Sequence, residues 1–195
     1  MPAWEDAMHR PDPDSDPHPL EHLLNLAREA VVAAVDGRPA PVADPRGHPE
    51  MAAPADAFVT LTAGEDLRGC IGTLGAEMPV GEAVVRAAGM AATCDPRFRP
   101  VATGELADLR IEVSVLGPPR PLADPAAFVP GRDGIVVEAR GRRALLLPQV
   151  ATEMGWGTTE MLDAVCEKAG LRADAWRDSA TRLLVFEVER ASGPA

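Results

Sequence analysis

Two pairs of β-rich runs in this chain are joined by connections too short to be anything but hairpins. Phe58–Thr62 and Leu67–Leu74 flank Ala63-Gly64-Glu65-Asp66, and GIVVEARGRRALLLP, from Gly134 to Pro148, turns around Arg140–Arg142. A parallel crossover needs about a dozen residues or more, so neither pair fits a doubly wound parallel sheet. Arg110–Leu116 (RIEVSVL) alternates cleanly, with Ile111, Val113 and Val115 on one face and Arg110, Glu112 and Ser114 on the other. Thr181–Glu189 (TRLLVFEVE) reads as a final strand.

Helical spacing punctuates these strands. Pro19 opens a helix with Leu20, Leu23, Leu24, Ala27, Val31 and Ala34 on one stripe, and Gly37 stops it. A second helix starts at Pro79, carries Val80, Val84, Ala87 and Ala91, and ends near Cys94, because Asp95 precedes Pro96. A third runs from Thr158 to Lys168 with Met161, Leu162, Val165, Cys166 and Ala169 on its apolar side, closed by Gly170. Residues 38–56 and the Pro-rich residues 117–130 read as loops. The first 18 residues, rich in Pro and Asp, read as a disordered tail before a single domain over 19–195. The fold class is α+β, with a mixed, largely antiparallel sheet flanked by helices.

Several function classes fall away. A net charge of -11 is the wrong sign for phosphate backbones or anionic lipid. No apolar run approaches the ~18 residues of a membrane span, and no secretory h-region follows the N-terminus. The three cysteines, Cys70, Cys94 and Cys166, form no C-x-x-C and suit free thiols in a reducing cytoplasm. P-loop, G-x-G-x-x-G and G-x-S-x-G patterns are missing. The four histidines lie within the first 48 residues without metal-ligand spacing, so no metal site and no cofactor is expected. His22 is expected to hydrogen-bond at the edge of the first helix.

The chemistry concentrates in LRGCIG, Leu67–Gly72. Strand alternation puts Arg68, Cys70 and Gly72 on one face, with Arg68 as a cation beside the thiol; a nearby cation favours the nucleophilic thiolate. Gly69 and Gly72 would let a ligand or another backbone approach closely. Cys70 is therefore a candidate nucleophile, against the alternative of a small buried hydrophobe beside a bulge. In CDPRFRP, Cys94–Pro100, Asp95 and Arg97 would either flank a pocket or pair at a helix stop. Glu112 is either a carboxylate beneath cover or the polar side of an amphipathic strand. Gln149, after Pro148, would aim its amide into a pocket, while Trp156 and Cys166 are assigned to the core.

In order along the chain, LRGCIG, DPRFRPV, IEVSVL, GRDGIVVE, LLLPQVATEMGW and KAGL with its following AW resemble the AMMECR domain family (AmmeMemoRadiSam system protein A) over about residues 20–190. The resemblance implies that family's own α+β fold with a larger and a smaller subdomain. It also implies a cytoplasmic protein whose relatives are often encoded beside a Memo-family protein and a radical S-adenosylmethionine protein. By motif the matching positions are Arg68, Gly69, Cys70, Ile71 and Gly72, then Asp95 to Phe98, Glu112, Pro148 and Gln149. Cys94 departs from the pattern and would serve as a resolving thiol for Cys70.

Two readings follow. One is a cysteine-dependent enzyme acting on a small anionic or carbonyl-bearing molecule. Cys70 is its nucleophile, Arg68 or Arg97 its cation, and Glu112 or Asp95 its proton carrier; Gly69, Gly72 and Gln149 line the substrate site. The other is a non-catalytic adaptor or substrate-presenting subunit for a Memo-type or radical S-adenosylmethionine partner.

Overall fold

The computed structural model describes residues 18–73, 75 and 78–195. The expected tail, His18 apart, and Leu74 of the first hairpin lie outside the described residues. The chain divides into two compact units, one reaching up to Val115 and taking in Glu189–Ala195, the other Leu116–Val188.

The first unit contains α1 (Pro19–Val35), β1 (Ala57–Ala63), β2 (Asp66–Gly72), α2 (Val80–Thr93), β3 (Leu109–Leu116) and β8 (Val188–Pro194). Its sheet runs β2-β1-β3-β8, so β2 is an edge strand. β1 pairs antiparallel with both β2 and β3: Thr60 of β1 lies opposite Cys70 on one side and Glu112 on the other. Alternation works as expected, with Val59, Leu61, Ile111, Val113 and Val115 buried against the apolar stripes of α1 and α2. The α2 stripe is mostly alanine (Ala83, Ala87, Ala88, Ala91), which lets the helix backbone come close to the sheet.

The second unit contains β4 (Arg120–Pro121), β5 (Gly134–Ala139), β6 (Arg142–Leu146), α3 (Pro148–Met154), α4 (Thr158–Lys168) and β7 (Arg182–Phe186). Its sheet runs β4-β7-β5-β6. The β5–β6 turn is a two-residue loop in which Arg140 (φ 53°) and Gly141 (φ 72°) are both left-handed, the geometry that suits the right-handed strand twist. Phe128, Ile135, Val137, Met161, Leu162, Val165 and Cys166 form its core.

Two departures from the sequence reading stand out. The strands fall into two separate four-stranded sheets, and TRLLVFEVE is not one strand: it breaks at Glu187, with β7 in the second sheet and β8 in the first. Pro148–Met154, to which the sequence reading assigned no element, is a short helix; it carries Pro at its start and the left-handed Gly155 (φ 66°) at its end.

Candidate functional site

Cys70 sits on the edge strand β2, one residue beyond an irregularity. The partner of Leu61 is Gly69, but the partner of Thr62 is Leu67, so Arg68 is the extra residue of a β-bulge. The period-two alternation expected to set Arg68 beside Cys70 does not carry through that bulge. Arg68 instead donates through Nε to Glu105 Oε1 (2.9 Å) and through its terminal nitrogens to the Arg99 carbonyl (3.4 and 3.5 Å). Glu105 lies on the 3-10 turn Thr103–Asp108.

The cation at Cys70 is Arg97. Its Nη2 donates to the Cys70 carbonyl at 3.1 Å. Asp95 first, and more weakly Cys70, hold the Arg97 guanidinium above its ordinary value against the opposing effect of burial. On the other side of the sulfur, Thr60 Oγ1 donates to Cys70 Sγ at 3.4 Å. Cys70 is half-buried, while the Arg97 side chain remains 55% exposed.

Asp95 explains why LRGCIG and DPRF occur in one chain. Its carboxylate accepts from the Cys70 N–H (2.9 Å), the Arg97 N–H (3.1 Å), Arg97 Nε (3.0 Å) and Arg97 Nη2 (2.7 Å). The carboxylate takes the amide of Cys70 and the guanidinium takes its carbonyl. The two side chains thereby do for the edge of β2 what a neighbouring strand would do, and satisfy main-chain groups that an edge leaves open. The Arg97 contact, opposed by burial and helped by the two N–H donors, holds the Asp95 carboxyl far below the usual carboxylate range. A carboxylate held so low is a poor proton carrier at neutral pH. Asp95 therefore positions Cys70; the expected proton-transfer role does not suit it.

Both glycines of the motif are packing devices. Gly69 faces α2, where an added Cβ would overlap the Ala91 carbonyl oxygen. Gly72 lies against the Phe58 ring, which would overlap a Cβ there. Of the two expected uses of that space, a ligand or a close approach of the chain itself, the second is found: the chain's own atoms fill it at both positions.

Glu112 joins the row Cys70–Thr60–Glu112 across three strands, on the sheet face opposite the core. Its Oε1 accepts from Ser114 Oγ at 3.4 Å, and Arg190 of β8 lies 3.8 Å from Oε2. Of the two expected proton carriers, Glu112 is the one left for that task. Gln149 belongs to α3 of the second unit, where its Oε1 is buried with no hydrogen-bond partner among the described residues. Cys94 is exposed, its sulfur 3.4 Å from Thr93 Oγ1. Cys166 is fully buried, and burial pushes its thiol up. Thr60 and Arg190 escaped the sequence reading; Thr60 alternates out of the core in FVTLT, but only the register between strands puts it against the sulfur.

The AMMECR1 family model matches residues 24–191, which takes in every element of the site. The chain belongs to the AMMECR1 family. A protein of Methanothermobacter thermautotrophicus is 49% identical over 138 residues, covering 68% of this chain and 72% of that one. One of Thermococcus onnurineus is 41% identical over 191 residues, covering 89% and 92%. The crystal structure of an uncharacterised protein from Pyrococcus horikoshii matches with a TM-score of 0.81 and 38% identity, covering 89% of this chain and 91% of its own. The AMMECR1-type α+β fold, inferred first from motif order, is thus that of this chain. Among the described residues, no helix is long and apolar enough to cross a membrane.

Proposed function

We propose that this AMMECR1-family protein is a cysteine-dependent enzyme acting on a small anionic or carbonyl-bearing molecule, with Cys70 as nucleophile. The observation that carries the reading is the setting of the sulfur. It accepts from the Thr60 hydroxyl, while Asp95 takes the Cys70 N–H and the Arg97 guanidinium takes the Cys70 carbonyl, fixing its backbone on both sides. Arg97, more than half exposed, keeps donors available for a carboxylate or a developing oxyanion. In the proposed step the Cys70 sulfur adds to a carbonyl carbon, the carbonyl π pair moves to oxygen, and Glu112 returns to that oxygen the proton taken from the thiol. The free thiols fit a cytoplasmic setting, and the net charge of -11 fits a partner other than nucleic acid or membrane.

Site-resolved alkylation tests the reading. Cys70 should react with iodoacetate at least ~100-fold faster than buried Cys166 at neutral pH. Arg97→Gln should slow iodoacetate more than neutral iodoacetamide. Screening with carbonyl compounds should then give turnover that Cys70→Ser abolishes. A Cys70 as inert as Cys166 would refute the nucleophile.

One observation favours a second reading. Because the chain's own atoms fill the space at Gly69 and Gly72, the motif also suits a rigid adaptor surface for a Memo-family or radical S-adenosylmethionine partner. In that case complex formation survives Cys70→Ser.

A further inference from the structure

Three metal-ligating side chains converge in the first unit on residues that the Cys70 reading does not use. His22 lies on α1; His48 and Glu50 lie at the start of the 3-10 turn Pro49–Ala52. Sequence spacing concealed the group, because the ligands come from two segments and only one short step, His48-Pro49-Glu50, is local. His22 Nδ1 lies 2.9 Å and His48 Nδ1 3.6 Å from the same atom, Glu50 Oε1. One potential ligand atom from each residue lies within 4.8 Å of the others. The two rings stand 3.9 Å apart between centroids and are tilted by 50°.

We propose that His22, His48 and Glu50 form a binding site for a divalent transition metal of the zinc class. Two imidazoles and one carboxylate are a recurrent zinc set that leaves a fourth position for water. At metal–ligand bonds of about 2.0–2.1 Å, adjacent ligands of a tetrahedral ion are about 3.3 Å apart. The two observed separations to Glu50 Oε1, 2.9 and 3.6 Å, fall either side of that value. Both imidazoles turn Nδ1 toward the one carboxylate oxygen, so a cation among the three residues would find two nitrogen ligands and one oxygen ligand within reach.

The supporting backbone is anchored on both sides of the ligands. Met51, next to Glu50, is 4% exposed within the core, and the Ala53 carbonyl accepts from the Val80 N–H at 2.8 Å. His22 sits between the buried Leu23 and Leu24 and the helix start. The His22 and Glu50 side chains are 12% and 14% exposed, so ligand solvation is already largely displaced, while His48, at 38%, gives the ion a way in. A bound metal would pin the 38–56 segment to α1.

The test uses the tag-free full chain, stripped with chelator, and Zn2+ alone as probe, followed by calorimetry. Co2+ absorption serves as a second readout of coordination. The expected result is one equivalent of Zn2+ at micromolar Kd or tighter, and a melting temperature raised by about 5 °C at a hundredfold excess over Kd. Glu50→Gln and His48→Gln should each weaken binding by about tenfold or more while leaving the metal-free melting temperature near that of the parent. Cys94→Ser should bind as the parent does, which removes the exposed thiol as the ligand. Absence of saturable binding tighter than about 100 µM overturns the proposal. So does binding that Glu50→Gln and His48→Gln leave intact.

Discussion

Replacing Asp95 by alanine removes the carboxylate that joins the Cys70 N–H of the edge strand to the Arg97 loop. The carboxylate, 2% exposed as a side chain, accepts from two main-chain N–H groups and twice from the Arg97 guanidinium. The guanidinium is more than half exposed and regains water when freed, so its pair contributes about 0–1 kcal/mol. The two N–H donors lose a charged acceptor; each such bond is worth about 1.5–3 kcal/mol when buried, and less where water replaces it at an edge. Together these place Asp95→Ala at about 2–4 kcal/mol of destabilisation.

The pH dependence has a definite sign. The folded carboxyl binds its proton less readily than the unfolded one, whose pKa is about 3.9. The stabilisation is therefore fully present above about pH 4–5 and is lost as pH falls below that toward the depressed folded value. Urea titrations of parent and variant at pH 7 and pH 3 should show the difference shrinking at the acid end. Amide exchange at Cys70 gives the local readout, with protection falling by about tenfold for each 1.4 kcal/mol. An Asp95→Ala protein within 0.5 kcal/mol of the parent at pH 7, by about the resolution of such titrations, with Cys70 exchange unchanged, would refute the edge-capping account.

Three further outcomes are expected. Gly69→Ala drives a methyl group into the Ala91 carbonyl and should cost about 2–3 kcal/mol or prevent folding, read as melting temperature; a neutral effect would mean α2 does not press on β2 as described. Met161→Ala, at a fully buried site in the second unit, should cost about 2–5 kcal/mol in urea, with Trp156 and Trp176 fluorescence reporting the loss. Cys166, whose thiol burial pushes up, should stay unmodified in native protein at pH 8 and react only after denaturant is added, as followed by mass spectrometry.

Most of the local structure was determined by the sequence alone, because its causes lie within a few residues. Pro19 and Gly37 bound α1, Asp95-Pro96 stops the helix before it, and Arg140-Gly141 supplies the left-handed turn between β5 and β6. The seven residues of α3 are too few for helical periodicity to show, so that helix has no counterpart in the sequence reading. Motif order was sufficient for the family and for Cys70, Asp95, Arg97 and Glu112 as a set.

Tertiary structure decided how those residues divide the work. The glycines of LRGCIG allow a bulge but do not place it at Arg68, because a bulge is defined against the partner strand; that single slip sends Arg68 to Glu105 and leaves Arg97 with Cys70. Whether a glycine makes room for a ligand or for a helix depends on what occupies the space, here Ala91 and Phe58. The split into two sheets and the convergence of His22 with His48 and Glu50 rest on contacts between segments distant in sequence. Spacing rules are blind to such contacts: they read what neighbours along the chain can reach, and the packed core alone sets what meets across it.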